Sequence, residues 1–290
     1  MTIKHIALSG GSQYGLSILG ALYESEKLNI IDFNNIEKIY ATSAGSICMV
    51  GWVLRIDKED VYNFLINRPW EKVFKFETKL ISSLFDKKGI INKQFVADIL
   101  SPLLKTNSLR EDITLKELYD YTKKDIHIIA TKTNTLEHID FNYKTYPDLP
   151  IIDAIYMSST IPCIMQPIIY ENTFIIDGAF SYNYPVDLCK KDTPQDVNSI
   201  LGIKIVKKKD DEDDNNKDLL KYLFGIIEKM RDKINEKNET QAEIQINIYC
   251  ESWLYSIKDS LFTKKKRQEL IEDGERIMRE YLENSVKKLI

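Results

Sequence analysis

Ser43 lies in the segment Glu37-Lys38-Ile39-Tyr40-Ala41-Thr42-Ser43-Ala44-Gly45-Ser46, a short apolar strand that runs into small residues and then into a helical stretch. That is the pattern of a nucleophile elbow, a tight strand-to-helix turn that strains the serine backbone and exposes its hydroxyl. Small neighbours are needed there because the chain folds back on itself. The usual spelling, G-x-S-x-G, is incomplete here because Ala41 stands at the first glycine. The same letters can also be read as a strand end followed by a serine helix cap.

Acyl transfer by a serine also needs a base and donors for the developing oxyanion. Donors are suggested by Ser9-Gly10-Gly11-Ser12-Gln13-Tyr14-Gly15-Leu16, a turn between the first strand and the first helix. Its glycines let backbone amides point into a cavity, and the helix N-terminus favours negative charge. The turn can equally be written G-x-S-x-x-G, a phosphate cradle. A dinucleotide site would then place an acidic residue about 20 residues on, at the end of the second strand. Ala41 and the elbow stand there instead, which favours the oxyanion reading over a nucleotide-binding protein.

The histidines are His5, His127 and His138. His5 begins the first strand, at the sheet end opposite the elbow. His127 is enclosed in the apolar run Ile126-His127-Ile128-Ile129, where a structural role is expected, and His138 starts a strand after a turn. None follows a strand's carboxyl end, where active-site loops of open α/β sheets lie. Asp177 does, directly after Phe174-Ile175-Ile176 and before Gly178-Ala179, whose small size permits close approach. A carboxylate can deprotonate a serine if a partly desolvated site raises its pKa. The alternative for Asp-Gly is a plain turn.

These residues must be carried by an α/β framework. Ile3 to Leu8 reads as a buried strand, Leu16 to Ser25 as a helix and Ile36 to Ala41 as a second strand. Helices are expected at Lys58 to Leu65, Lys93 to Leu104, Leu115 to Thr122 and Ile151 to Ser159. Strands are expected at Asp125 to Thr131, His138 to Asn142 and Ile200 to Val206, with a hairpin at 168–176 delivering Asp177. The alternation favours a sheet with helices on both faces. Residues 1–206 are expected to form the catalytic core and 207–218, all charged or amide side chains, a mobile solvated loop. Residues 219–290 are expected to be a helical region packed on the core, from amphipathic helices at Leu219 to Ile234 and Glu269 to Leu289. Such a stripe can pack on the core or lie at a lipid surface.

At 290 residues and a net charge of −4, the chain can bury a large core and offers no general attraction to nucleic acid. Cys48, Cys163, Cys189 and Cys250 are widely spaced, as core thiols of a reducing compartment would be. No zinc-ligand spacing occurs, so no metal and no cofactor are expected. The N-terminus reaches Gly10-Gly11 too early for a signal peptide. The longest apolar run, Ile47 to Leu54, is far short of the roughly 20 residues that span a bilayer. These features predict a cytoplasmic protein without a transmembrane segment, peripheral to membranes at most.

Taken together the blocks resemble the patatin-like phospholipases, serine lipid acyl hydrolases that work with a Ser/Asp dyad. Gly10-Gly11-Ser12-Gln13-Tyr14-Gly15 is similar to the family's oxyanion loop, and Ala41-Thr42-Ser43-Ala44-Gly45 to its elbow. Asp177-Gly178-Ala179 with the downstream Asn183-Tyr184-Pro185 resembles its D-G-A/G block, and Ser158-Ser159-Thr160-Ile161-Pro162 the segment before it. The resemblance covers about Ile3 to Val206. It implies a three-layer α/β/α sandwich with a mostly parallel central sheet. It further implies Ser43 as nucleophile, Asp177 as base and the amides around Gly10, Gly11 and Ser12 as oxyanion donors. The implied chemistry is metal-independent cleavage of glycerophospholipid acyl esters at a membrane or micelle surface. Acyl transfer, thioester cleavage or lipid binding by a weakened site would use the same residues. Three positions depart from the family's pattern: Ser12 where a third glycine is common, Tyr14 where a basic residue is common, and Ala41. Ser12 costs little if its backbone angles are negative, and Tyr14 removes a charge that would favour anionic head groups.

Overall fold

The computed structural model describes residues 2–70, 86–208, 219–235, 240–250 and 263–287. Most of the charged stretch expected to form a loop, 209–218, lies outside the described residues.

Eight strands form one sheet: β1 (His5–Leu8), β2 (Lys38–Thr42), β3 (Asp125–Lys132), β4 (His138–Phe141), β5 (Ile168–Tyr170), β6 (Thr173–Asp177), β7 (Ile200–Lys207) and β8 (Ile244–Cys250). The order is β5-β6-β3-β2-β1-β7-β8, with β4 also paired to β3. The run from β3 to β8 is parallel throughout, while β6 and β4 join β3 antiparallel. Parallel strands covered on both faces read as continuous apolar runs, and β1 is buried at every position. Successive side chains still alternate between faces. Ile6 and Leu8 enter the main core, whereas Ala7 joins Tyr40, Tyr184, Val186 and Cys189 in a smaller cluster. The result is a mixed α/β fold, a mostly parallel sheet between two helical layers.

Helices α1 (Gly15–Lys27), α2 (Ala44–Val53), α3 (Lys58–Asn67), α4 (Gln94–Thr106), α5 (Leu115–Thr122) and α6 (Ile151–Ser158) follow the expected apolar spacing to within a few residues. α7 (Val186–Asp192) carries the smaller core cluster, and α8 (Leu219–Asn235) and α9 (Lys264–Lys287) complete the described helices. The C-terminal part is not helical alone. Ile244–Cys250 lies parallel to β7 over its whole length and makes the sheet's edge. Its letters, Ile-Gln-Ile-Asn-Ile-Tyr-Cys, alternate as a strand should, a signal that the expectation of a helical region passed over.

α9 is seated on α1 by glycines on both sides. A methyl on Gly20 would stand 2.2 Å from the Ile271 carbonyl oxygen, and one on Gly274 would stand 1.9 Å from that of Ser17. Backbone therefore meets backbone, and the contact is reinforced where Arg279 pairs with the buried Glu24 at 2.8 Å. Because α1 begins at the glycine loop, α9 braces that loop from behind. Gly274→Ala should lower stability by about 1–3 kcal/mol even though alanine is the better helix former. Urea unfolding reads the loss, and an unchanged midpoint would refute the close-packing account.

Candidate active site

Ser43 sits between β2 and α2 with φ 50° and ψ −123°, in the left-handed region that costs a non-glycine residue energy. The turn is held from two directions. The Ser43 amide donates to Ser158 Oγ at 2.9 Å, and Ser158 Oγ donates to the Ile129 carbonyl at 2.6 Å. Gly45 allows the turn to reach β1, since a methyl there would be 2.6 Å from the Ser9 carbonyl oxygen. Ala41, at the departure from the usual elbow, is fully buried beside Leu8 in the main core.

Asp177 ends β6, and the register of β3 explains why it meets Ser43. Thr42 pairs with Ile129 and Asp177 with the next residue, Ala130. β4 already pairs with Ala130 and Thr131, so β6 must use the edge that β2 vacates at the elbow. β2 and β6 thus lie end to end along one side of β3, arriving from opposite directions. Ser43 Oγ donates to Asp177 Oδ2 at 2.6 Å, and the Ala179 amide donates to Asp177 Oδ1 at 2.8 Å. The Asp177 main chain is held too: its amide donates to the Thr160 carbonyl at 2.9 Å, and its carbonyl accepts from Thr131 Oγ1 at 2.9 Å.

Asp177 is 3% exposed. Burial pushes its carboxyl up to about 6, against the lowering effects of the Ser43 and Ala179 hydrogen bonds and the more distant Arg231 charge. A base must be ionised to take a proton. The rate should therefore fall about tenfold per pH unit below pH 6 and level off above it. A kcat/KM profile on a monomeric ester measures this limb, and a profile flat down to pH 4 would exclude Asp177 as the base.

The Gly10 amide donates to the Asn183 carbonyl at 3.0 Å, so it is committed and the expectation of an oxyanion donor at Gly10 is not met. Gly10 is required for another reason: a methyl there would be 3.1 Å from Ser43 Cβ and 2.7 Å from Asn183 Oδ1. Among the described residues no acceptor is found for the Gly11 and Ser12 amides. Ser12 has φ 51°, so the condition of negative angles fails, and serine is strained where glycine would not be. Tyr14 is half-buried and packs against the main core.

A cavity of about 170 Å³ opens from Ser43, Ser12 and Gln13 between apolar side chains of α1, α2 and α4, among them Leu16, Ile47, Phe95 and Ile99. Ile161, Ile164 and Met165 close one side, and Leu65, Trp70 and Arg267 another. The buried Arg267 guanidinium donates to the Ile66 carbonyl, so α9 also fixes the end of α3 that borders the cavity.

The histidines are placed elsewhere. His127 stacks on Tyr40 at 4.1 Å and lies 2.7 Å from Asp140 and 3.2 Å from Asp125. Burial alone lowers its pKa, but the two carboxylates outweigh it and hold it at about 9, which makes it a charged structural group. His138 packs edge-on against Tyr182 at 5.0 Å. His5 pairs with Lys38 at the strand end remote from Ser43. It lies with Glu37 and Asp196, the group among the described residues whose metal-ligand atoms fall within 4.8 Å of one another. The Lys4 ammonium already bridges Asp196 at 3.2 Å and Glu37 at 3.8 Å.

Two supporting residues were not foreseen. Ser158 belongs to a segment with a signal in the sequence, but its role depends on α6 delivering it beneath the elbow. Asn235, at the end of α8, accepts from the Asn183 amide at 2.8 Å through Oδ1 and donates to the Ala179 carbonyl at 2.6 Å through Nδ2. Nothing in its local sequence marks it.

Residues 6–190 match the family model described as patatin-like phospholipase. The chain belongs to the patatin-like phospholipase family. This patatin-like chain is similar to two viral proteins. One, named probable lipid hydrolase 463L, from Invertebrate iridescent virus 6, is 28% identical over 65% of this chain and 63% of its own length. The other, named uncharacterized protein R571, from Acanthamoeba polyphaga mimivirus, is 26% identical over 73% of this chain and 68% of its own length. The match thus leaves more than a third of the iridescent virus protein uncovered. Among solved structures, VipD from Legionella pneumophila superposes with a TM-score of 0.53 at 15% identity, over 98% of this chain and 67% of that one. That likeness concerns the fold alone.

Proposed function

We propose that this chain is a serine lipid acyl hydrolase that cleaves fatty acyl esters of glycerophospholipids. The observation that carries the reading is the buried 2.6 Å Ser43–Asp177 hydrogen bond at the mouth of an apolar cavity of about 170 Å³, whose lining suits part of an acyl chain. Asp177 accepts the hydroxyl proton as Ser43 Oγ attacks the ester carbonyl, and the same proton passes to the departing alkoxide of the lysolipid. An acyl-enzyme remains on Ser43. Water, deprotonated by Asp177, attacks that ester, and the fatty acid leaves as Oγ regains a proton.

The Gly11 and Ser12 amides, with the first-turn amide of Ala44 that has no intrahelical acceptor, are the donors available to the oxyanion. Preformed donors of this kind act where charge develops and need no reorganisation. No step in this sequence calls on a metal ion. Among the described residues no helix is long and apolar enough to cross a membrane, and the substrate is met at the surface of a membrane or micelle.

Incubation with mixed phospholipids in calcium-free buffer, followed by mass spectrometry, should show free fatty acid and lysophospholipid. A fluorophosphonate should add to the peptide containing Ser43. Intact lipid together with an unmodified Ser43 would overturn the reading.

A further inference from the structure

A hydroxyl in the catalytic cavity is left without a hydrogen bond. Ser159 directly follows α6, is 5% exposed and lines the cavity that opens from Ser43. Its main chain is engaged: the amide donates to the Tyr156 carbonyl and the carbonyl accepts from the Ile161 amide, both at 3.0 Å. Its Oγ finds no donor or acceptor among the described residues. The hydroxyls on either side are both bound, Ser158 Oγ between the Ser43 amide and the Ile129 carbonyl, and Thr160 Oγ1 to the Tyr156 carbonyl at 2.7 Å. Buried hydroxyls are rarely unpaired, because losing water without a replacement bond is destabilising. An exception inside a cavity implies a partner that arrives with the ligand.

The wall beside Ser159 is apolar, formed by Ile161, Ile164 and Met165. A methylene chain lying against it strips the hydroxyl of water and offers nothing back, whereas an oxygen on the chain restores the bond. The place of Ser159 in the chain fixes where that oxygen would be. Ser158 before it holds the Ser43 amide through Oγ, and Thr160 after it holds the Asp177 amide through its carbonyl. Flanked by supports of both dyad residues, Ser159 belongs to the reacting end of the cavity.

We propose that the cavity selects a hydroxylated acyl group, with the hydroxyl on one of the first carbons beyond the ester carbonyl, and that Ser159 Oγ binds that hydroxyl. A site built to hydrogen-bond a substrate group rejects the analogue lacking it, since its own polar atom is then buried unpaired. Two hydroxyls can bond in either direction. That such a chain is hydrolysed rests on the hydrolase reading; that it is bound in preference to a plain chain does not.

The test titrates Ser43→Ala protein with octanoate and with its 2-hydroxy and 3-hydroxy forms. One hydroxy acid should bind about tenfold tighter than octanoate, and Ser43→Ala/Ser159→Ala should bind the two alike. With Ser43 intact, kcat/KM on the matching p-nitrophenyl esters should show the same preference, and Ser159→Ala should lose it. The ratio is compared between two proteins, so the intrinsic reactivity of each ester cancels. Ser159→Ala should also turn over the plain ester about threefold faster, having no hydroxyl to bury unpaired, which loss of a merely structural serine would not do. Ser159→Cys, a weak hydrogen-bonding group of similar shape, should lose most of the preference and serves if the alanine variant unfolds. No binding, equal affinity of the Ser43→Ala protein for the three acids, or a preference that survives Ser159→Ala overturns the proposal. So does a Ser159→Ala enzyme slowed alike on plain and hydroxy esters, which would assign the hydroxyl to the ester group or to the fold. A wild type inert toward every ester while the binding preference stands would sink the hydrolase reading instead.

Discussion

Asp177→Asn should be folded, inactive and more stable than the wild type at neutral pH. The amide can keep both hydrogen bonds, accepting from Ala179 and donating to Ser43 Oγ, but it cannot take the serine proton. Activity should fall at least about 10³-fold, and Ser43→Ala should fall as far, because the two groups act as a unit and their losses do not add. The gain in stability follows from the direction of the pKa change. Burial raises Asp177 from the ordinary 3.8 to about 6, so the folded state resists the charge that the unfolded chain carries freely. That penalty, about 3 kcal/mol from a rise of this size, is present in full above pH 6 and disappears below pH 4. Urea unfolding at pH 8 should show the variant more stable, and at pH 4 the two proteins should coincide. An Asp177→Asn protein with wild-type turnover would refute the dyad, and one less stable at pH 8 would refute the burial penalty.

Gly178→Ala is the second substitution with a large expected effect. A methyl there would stand 2.1 Å from the Ile129 carbonyl oxygen and 2.9 Å from Thr42 Cγ2. Neither neighbour can give way, since Ile129 is paired on both edges, with Thr42 and with Asp140. The block carrying Asp177 must move instead. If Asp177 is the base, as proposed, a displacement near 1 Å there can cost about 100-fold in kcat, and overpacking against backbone adds about 1–3 kcal/mol of destabilisation. Steady-state kinetics on a monomeric ester and urea unfolding measure the two effects separately. Turnover within twofold of wild type would mean that the tight passage between β2 and β6 has no part in positioning Asp177.

Much of the framework is legible in the chain because its signals are local. The β-α-β opening, the hairpin before Asp177 and the helix at Leu115–Thr122 follow from apolar spacing, and that helix also carries its own capping box from Thr114 and Glu117. Placing His127 in a structural role follows from its apolar flanks, but its charge does not. That charge depends on Asp125 and Asp140, and Asp140 comes from a different strand. β8 alternates as a strand should, yet it lies between two amphipathic helices, and the strand it pairs with among the described residues is β7, well back in the chain. For Gly10, glycine content suggested a donor, and the tertiary contact with the Asn183 carbonyl removed it.

The residue types at 43 and 177, their strand-end settings and the small residues around them are properties of the sequence alone, since strained turns and close approaches restrict which side chains fit. That Ser43 and Asp177 meet was decided by the tertiary structure. β2 stops at Thr42 and leaves one edge of β3 open, and β6 enters that edge from the opposite direction with Asp177 at its tip. Strand pairing is a non-local hydrogen-bonding choice, and no local pattern encodes which edge is left vacant. The burial that raises the Asp177 pKa, the Ser158 brace and the Asn235 clamp follow from that same choice.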